Sequence, residues 1–291
     1  MGKDFTICIG TLGQGIWRST DGGDTWVRVR QGLYSESAVR ALAVHPRDPS
    51  VVYAGADSGI YRSEDKGENW ERLDSPMNQV PIWALAIDPV DPNIVFAGTR
   101  PSALFRSRDG GLKWEKLPVE LAEECPNVVI PRVTALVVDP VDPNNIWAGI
   151  EVDGVRRSKD GGDTWEVVTG GITDPDIHNL AITVGPPKTL LTITPREVFS
   201  STDDGVTWEP VHVGGQVSLP YCPGSGSQGG RSPGHLHGQR GERLRELGCP
   251  APLSRPGEDL GEPTVTGGTQ RDDLEPCCPS RRHRFPAGQQ R

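Results

Sequence analysis

The phrase "STDGGDTW" at residues 19–26 returns four times along the chain, as "SEDKGENW" (63–70), "SRDGGLKW" (107–114), "SKDGGDTW" (158–165) and "STDDGVTW" (201–208). Repetition at a steady interval limits the possible folds more sharply than composition does. Its aspartates are Asp21, Asp65, Asp109, Asp160 and Asp203, spaced by 44, 44, 51 and 43 residues. The likeness extends beyond the phrase: "VRALAVHPRDPSVVYAGADSGIYRSEDKGENWERL" (39–73) aligns with residues 82–117 and with residues 133–168. A fifth, looser unit runs from Ile177 to Val211.

Each unit predicts four short strands. The first is an apolar run such as "ALAV" or "ALAI", expected to be buried on both faces, and "HPRDP" or "DPVDP" ends it. Proline removes a ladder donor there, and aspartate favours a turn. The second strand is "VVYAG", "IVFAG" or "NIWAG", rich in β-branched and aromatic residues. The third, "GIYRS", "ALFRS" or "GVRRS", enters the repeated phrase, and the fourth starts at its tryptophan. Four-stranded units of 40–50 residues predict the blades of an all-β propeller.

In the phrase itself, the Asp is suited to accept backbone N–H groups of its own turn. The glycines at 23, 67, 111, 162 and 205 can take positive φ. Trp26, Trp70, Trp114, Trp165 and Trp208 offer large rings to fix the hairpin to its blade. The phrase therefore reads as scaffolding and not as a catalytic signature used five times.

At these residues the sequence resembles the Asp-box, or BNR, repeat β-propellers, which occur in sialidases, xyloglucan-cleaving glycoside hydrolases, sortilin-type receptors and a photosystem II assembly factor. The resemblance spans residues 5–212. It implies a propeller of about five four-stranded blades, incomplete because the first unit begins at its second strand. It also implies that the boxes lie away from the ligand, so the functional face holds the loops before strand one and between strands two and three. Both enzymes and pure binding proteins use this frame.

The partial propeller is assigned to residues 1–213. Residues 214–291 form a Gly/Pro/Arg-rich tail expected to be disordered; positions 215–291 hold 14 Gly, 10 Pro and 10 Arg, but no Lys, Ile or Trp. The change is abrupt enough to point to a shifted reading frame or a degraded gene end, and a genuine flexible tail is the plainer alternative.

Residues 1–214 carry 20 Lys and Arg against 31 Asp and Glu, which argues against nucleic acid or an anionic membrane as partner. The chain opens without a signal-peptide pattern and holds no membrane-length apolar run. As written, it is expected to be soluble and cytoplasmic, or extracytoplasmic if its N-terminus is truncated. The six cysteines lack zinc-ligand spacing and read as free thiols; no metal or cofactor is expected.

On the expected functional face, Arg40, Trp83, Thr134 and His178 occupy equivalent places beside the innermost strand. Ala38, Pro81, Arg132 and Asp176 precede them by two residues, and Asp57, Arg100, Glu151, Asp153 and Arg196 lie in the loops between strands two and three. From these, Arg40, Trp83, Arg100, Arg132, His178 and Arg196 are ligand-face candidates, and Asp57, Glu151, Asp153 and Asp176 are weak catalytic candidates. Tyr53 and Tyr61 align with aromatics in other blades and read as packing, leaving Tyr34, near Glu36, as the loose candidate for a sialidase nucleophile. The insertion "LPVELAEECPNVVIPR" (117–132) explains the 51-residue spacing, and "ELAEEC" can form a helical turn. The sequence thus favours a non-catalytic module that recognises a protein or glycan, with exposed blade edges open to association. The alternative is a sialidase-like or xyloglucanase-like glycoside hydrolase, with two carboxylates facing across a cleft.

Overall fold

The computed structural model describes residues 5–125 and 128–213. The expected tail lies outside the described residues. Five antiparallel sheets follow one another along the chain, and every strand pairs with its sequence neighbour. The first has three strands: β1 (Ile7–Gly10), β2 (Ile16–Ser19) and β3 (Val27–Arg28). The second comprises β4 (Val39–Val44), β5 (Val52–Ala56), β6 (Gly59–Ser63) and β7 (Glu71–Arg72). The third comprises β8 (Ile82–Ile87), β9 (Val95–Thr99), β10 (Leu104–Ser107) and β11 (Glu115–Lys116). The fourth comprises β12 (Val133–Val138), β13 (Ile146–Ile150), β14 (Gly154–Ser158) and β15 (Glu166–Val167). The fifth comprises β16 (Asn179–Thr183), β17 (Thr189–Ile193), β18 (Val198–Ser201) and β19 (Glu209–Pro210). These are the blades of an incomplete β-propeller, and the first starts at its second strand.

The turns after the first strands work through short acceptors. Asp88 Oδ1 accepts from the N–H groups of Val90 (2.7 Å) and Asp91 (2.9 Å), and Asp139 does the same for Val141 and Asp142. In "HPRDP" the acceptor is instead Nδ1 of His45, which takes the N–H groups of Arg47 and Asp48. One geometry thus explains both spellings.

The repeated phrase closes in the same way each time. In the fourth copy, Ser158 Oγ donates to Asp160 Oδ1 (2.8 Å) and accepts the Gly162 N–H (2.8 Å), while Asp160 accepts both the N–H (2.8 Å) and the hydroxyl (2.6 Å) of Thr164. Asn69 replaces the hydroxyl with its amide (2.7 Å), and at Lys113 only the backbone donor remains. The box glycines have φ of 81–102°, and the residue before each, where Lys66 and Asp204 stand in two copies, is also left-handed. Four box tryptophans donate Nε1–H to the carbonyl of the box glycine; Trp208 donates to Val168 O instead.

Four core clusters hold the fold together, each shared by two successive blades, and none of the four joins the fifth blade to the first. Every one of these contacts includes the same close approach. Val39, Ile82, Val133 and Ile177, at or just before the start of a first strand, press onto Gly10, Gly55, Gly98 and Gly149 of the preceding blade. A Cβ on Gly98 would lie 2.5 Å from Val133 Cγ1, so only glycine fits.

Two expectations are corrected. The second strands β5, β9 and β13 are the ones buried throughout, whereas the first strands are half-buried along much of their length. A second strand lies between two partners of its own sheet and packs against neighbouring blades on both faces, but a first strand is covered along one edge only. In the 117–132 insertion no helical turn forms among the described residues; Cys125 bridges Val129 in a tight reversal.

Candidate functional site

Antiparallel up-and-down order sends the hairpins between third and fourth strands to one rim of the blades. The first-strand entries and the loops between second and third strands go to the other. A β-bulge shapes that second rim. Pairing skips from Val39 to Ala41, from Ile82 to Ala84 and from Val133 to Ala135, leaving Arg40, Trp83 and Thr134 as extra residues in their strands. A bulge re-aims the side chain it carries, and here the same device acts on a different residue in each blade. In the fifth blade Asn179 pairs with Ile193 without a skip, and the His178 N–H donates to Ile193 O (2.8 Å).

Trp83 is the centre of the group. The guanidinium carbons of Arg40 and Arg132 lie 4.4 and 3.9 Å from its ring centroid, so the ring is covered by cations. Arg132 Nη2 also contacts Glu151 Oε1 at 2.5 Å, and the Glu151 N–H donates to Arg132 O (2.9 Å). Beside them, His178 Nε2 lies 3.4 Å from Asp176 Oδ2. Arg100 donates Nε–H to Ile130 O (3.0 Å), which draws the end of the insertion to this rim.

Glu151 is 5% exposed, and its Oε2 has no hydrogen-bond partner. Burial raises its carboxyl pKa above the ordinary value and the Asp176 carboxylate adds to this, against the opposing pull of Arg132, Arg100 and His178. The indole Nε1 of Trp83 is likewise buried and unpaired. One donor and one acceptor are therefore available within a group that is otherwise tied together.

Of the residues singled out in the sequence, the structure links Arg40, Trp83, Arg132 and Glu151 through direct contacts. It pairs Asp176 with His178, and couples both, with Arg100, to Glu151 electrostatically. Asp57 is half-buried with its N–H on Ala38 O, and Arg196 is exposed on the 194–197 turn; the contacts above place neither in the group. Thr134 turns into the blade contact, its Oγ1 2.6 Å from Ile177 O. Tyr34 is 66% exposed and donates to Glu36 Oε2 (2.9 Å), a bond that raises the phenol pKa, opposite to what a nucleophile needs. A shallow depression of about 360 Å³ lined by Arg28, Arg30, Leu33, Tyr34 and Ser35 includes none of the grouped residues. Among the described residues, no three His, Cys, Asp or Glu side chains gather to hold a metal ion.

Asp153 belongs to a clamp that the sequence reading missed. Its Oδ2 accepts from Arg156 Nη2 (2.7 Å) and from the Ala122 N–H (2.9 Å), and Arg156 Nε reaches Glu120 O (3.3 Å). The signal was present: Arg156 stands where the other blades have Trp17, Tyr61, Phe105 and Phe199. A buried arginine at an aromatic position needs a partner.

The family described as sortilin, neurotensin receptor 3, matches residues 14–129. A search of curated proteins found no match. Among solved structures, an ancestral GH74 enzyme superimposes with a TM-score of 0.58 at 18% identity, covering 73% of this chain and 30% of its own. The GH74 enzyme of Niastella koreensis gives 0.56 at 20% identity, covering 72% and 36%. The extracellular domain of BT4673 from B. thetaiotaomicron gives 0.54 at 15% identity, covering 69% and 26%. The chain thus spans about a third or less of the length of these structures, and the likeness is one of fold.

Proposed function

We propose that this Asp-box β-propeller chain, sialidase- and sortilin-like in fold, is a non-catalytic binding or assembly module. Its ligand, a protein or glycan, is recognised on the rim opposite the boxes. One observation carries the reading: bulges at one position deliver Arg40 and Trp83 from successive blades to a single group, which Arg132 and Glu151 complete, while the box rim is spent on its own turns. Three of its four candidate acids are paired, Glu151 with Arg132, Asp153 with Arg156 and Asp176 with His178. With Arg40 and Arg132 over the indole, Trp83 is not a bare platform for a sugar ring, which favours a protein segment over a glycan.

The hydrolase reading rests on one arrangement, a Glu151 carboxyl whose pKa is raised by burial, with the nearby Asp176 carboxylate adding to it. One experiment separates the two readings. Photo-crosslinking residues placed at Arg100 and at Thr164 sample the two rims against candidate protein partners, and the full chain is assayed in parallel on reporter glycosides. The expected result is crosslinking from position 100 only, with no turnover. Turnover that Glu151→Gln abolishes would overturn the proposal.

A further inference from the structure

The segment that leaves the first blade carries two arginines that no carboxylate neutralises. In "VRVRQGLYS" (27–35) arginines alternate with valines, so Arg28 and Arg30 share one side of an extended chain while Val29 turns inward. Val29 is buried and gives its N–H to Ile16 O (2.9 Å). Arg28 is half-buried and held by two backbone carbonyls: Nε–H donates to Gln14 O (2.9 Å) and Nη2–H to Ser35 O. Carbonyls fix a guanidinium without cancelling its charge. Arg18, Arg62, Arg106, Arg132, Arg156 and Arg157 each meet a carboxylate. Arg28 meets none among the described residues, and Arg30, which is exposed, makes no side-chain bond among them.

These two side chains line the depression of about 360 Å³ together with Leu33, Tyr34 and Ser35. Short backbone ties set its walls. Gly15 N–H donates to Ser37 O (2.9 Å), Ser37 N–H to Tyr34 O (3.0 Å) and Trp70 N–H to Gln31 O (3.3 Å). Two glycines at positive φ let the chain pass so closely: a Cβ on Gly15 would lie 3.1 Å from Ser35 O, and one on Gly32 would overlap Trp70 O. The arginines therefore face a fixed wall. Leu33 is buried and lends it an apolar surface, while the exposed Tyr34 ring is oriented by the bond from its hydroxyl to Glu36. The Ser35 hydroxyl has no partner among the described residues.

We propose that this depression binds a small molecule carrying a phosphate or sulfate ester, at a site separate from the group around Trp83. Arg28 keeps its remaining N–H donors and Arg30 all of its own. A tetrahedral oxyanion offers several acceptors to that pair of forks and to the Ser35 hydroxyl. It also brings the negative charge that the neighbouring residues do not supply. The Tyr34 ring gives the organic part, a group of sugar size, a flat face to lie on. The volume fits a ligand of that size, since small-molecule sites start at about 300 Å³.

Isothermal titration calorimetry on the full chain tests this, with glucose 6-phosphate, glucose 6-sulfate, glucose and inorganic phosphate as probes. At least one ester is expected to bind, and the one that binds tighter names the source of the oxyanion. Inorganic phosphate is expected to bind more weakly and glucose not at all. Arg30→Ala, at an exposed position with no bond to lose, is expected to weaken ester binding about tenfold. Arg30→Lys, which keeps the charge but not the fork, should recover part of that loss. Tyr34→Ala should weaken the ester and leave inorganic phosphate unchanged. Ester binding that Arg30→Ala leaves intact, glucose or inorganic phosphate binding as tightly as the esters, or no binding of either ester at millimolar concentration would each overturn the proposal.

Discussion

Arg156 lies in the place of an aromatic residue and is held there by Asp153, with Nη2 2.7 Å from Oδ2 and Nη1 2.7 Å from the Asp153 carbonyl. The same carboxylate holds the Ala122 N–H, so one side chain both neutralises a buried cation and pins the insertion. Asp153→Ala is expected to leave Arg156 without its counter-charge and to lower stability by about 3 kcal/mol. Hydrogen exchange at the Ala122 amide would speed up in the variant, while amides in the first blade keep their protection.

The seat at Gly98 makes a sharper prediction about packing. Gly98→Ala would force Val133 aside and is expected to destabilise by about 1–3 kcal/mol in urea unfolding. Val133→Ala alone leaves a cavity, and combined with Gly98→Ala it should recover part of the loss. A double-mutant cycle reads this coupling, which would be near zero if the two residues were merely adjacent.

The boxes predict the response to acid. The Thr164 hydroxyl and N–H groups hold Asp160 at a pKa of about 2, below its ordinary 3.8, and Thr207 does the same for Asp203. Burial works against the shift at Asp65, yet bonds from Asn69 and Ser63 still bring that group to about 2. A folded pKa below the unfolded one means that the unfolded chain binds more protons in that range. The boxes therefore contribute their full stability above about pH 4 and lose it as pH falls towards 2. A fluorescence titration at fixed urea should show unfolding confined to that window, and Asp65→Asn should make it shallower.

Removing the Asp65 carboxylate altogether is expected to act on stability and not on recognition. Asp65→Ala deletes the acceptor of the Glu68 and Asn69 N–H groups, a loss of about 1 kcal/mol by analogy with helix caps. Thermal melting should register it, and crosslinking from position 100 to a partner should be unchanged.

Much of the frame was legible in the sequence because every device in it is local. The box closes on its own eight residues, and the "DPVDP" turn on its own five, so repetition exposes both. The first-strand bulges were not legible, since nothing in "VRALAV", "IWALAI" or "VTALVV" marks an extra residue until the partner strand fixes the register. The site was read in part for the same reason. Arg40 and Trp83 were found by counting equivalent positions, but that Arg132 would bridge Trp83 and Glu151 depends on contact between blades. Asp153 stands among the acids of its loop in the sequence, and its pairing with Arg156 becomes visible only once the strand register sets Arg156 in an aromatic place.

The chain of bonds running from each blade to the carbonyl after the next box Asp has a thermodynamic consequence. Each blade is coupled only to its nearest neighbours, so opening is a one-dimensional process in which the cost of losing a blade depends on how many neighbours it leaves. Blades two, three and four, each sharing a core cluster with a neighbour on both sides, should exchange their amides only on global unfolding, while the first and fifth, which share one cluster each, open at lower free energy.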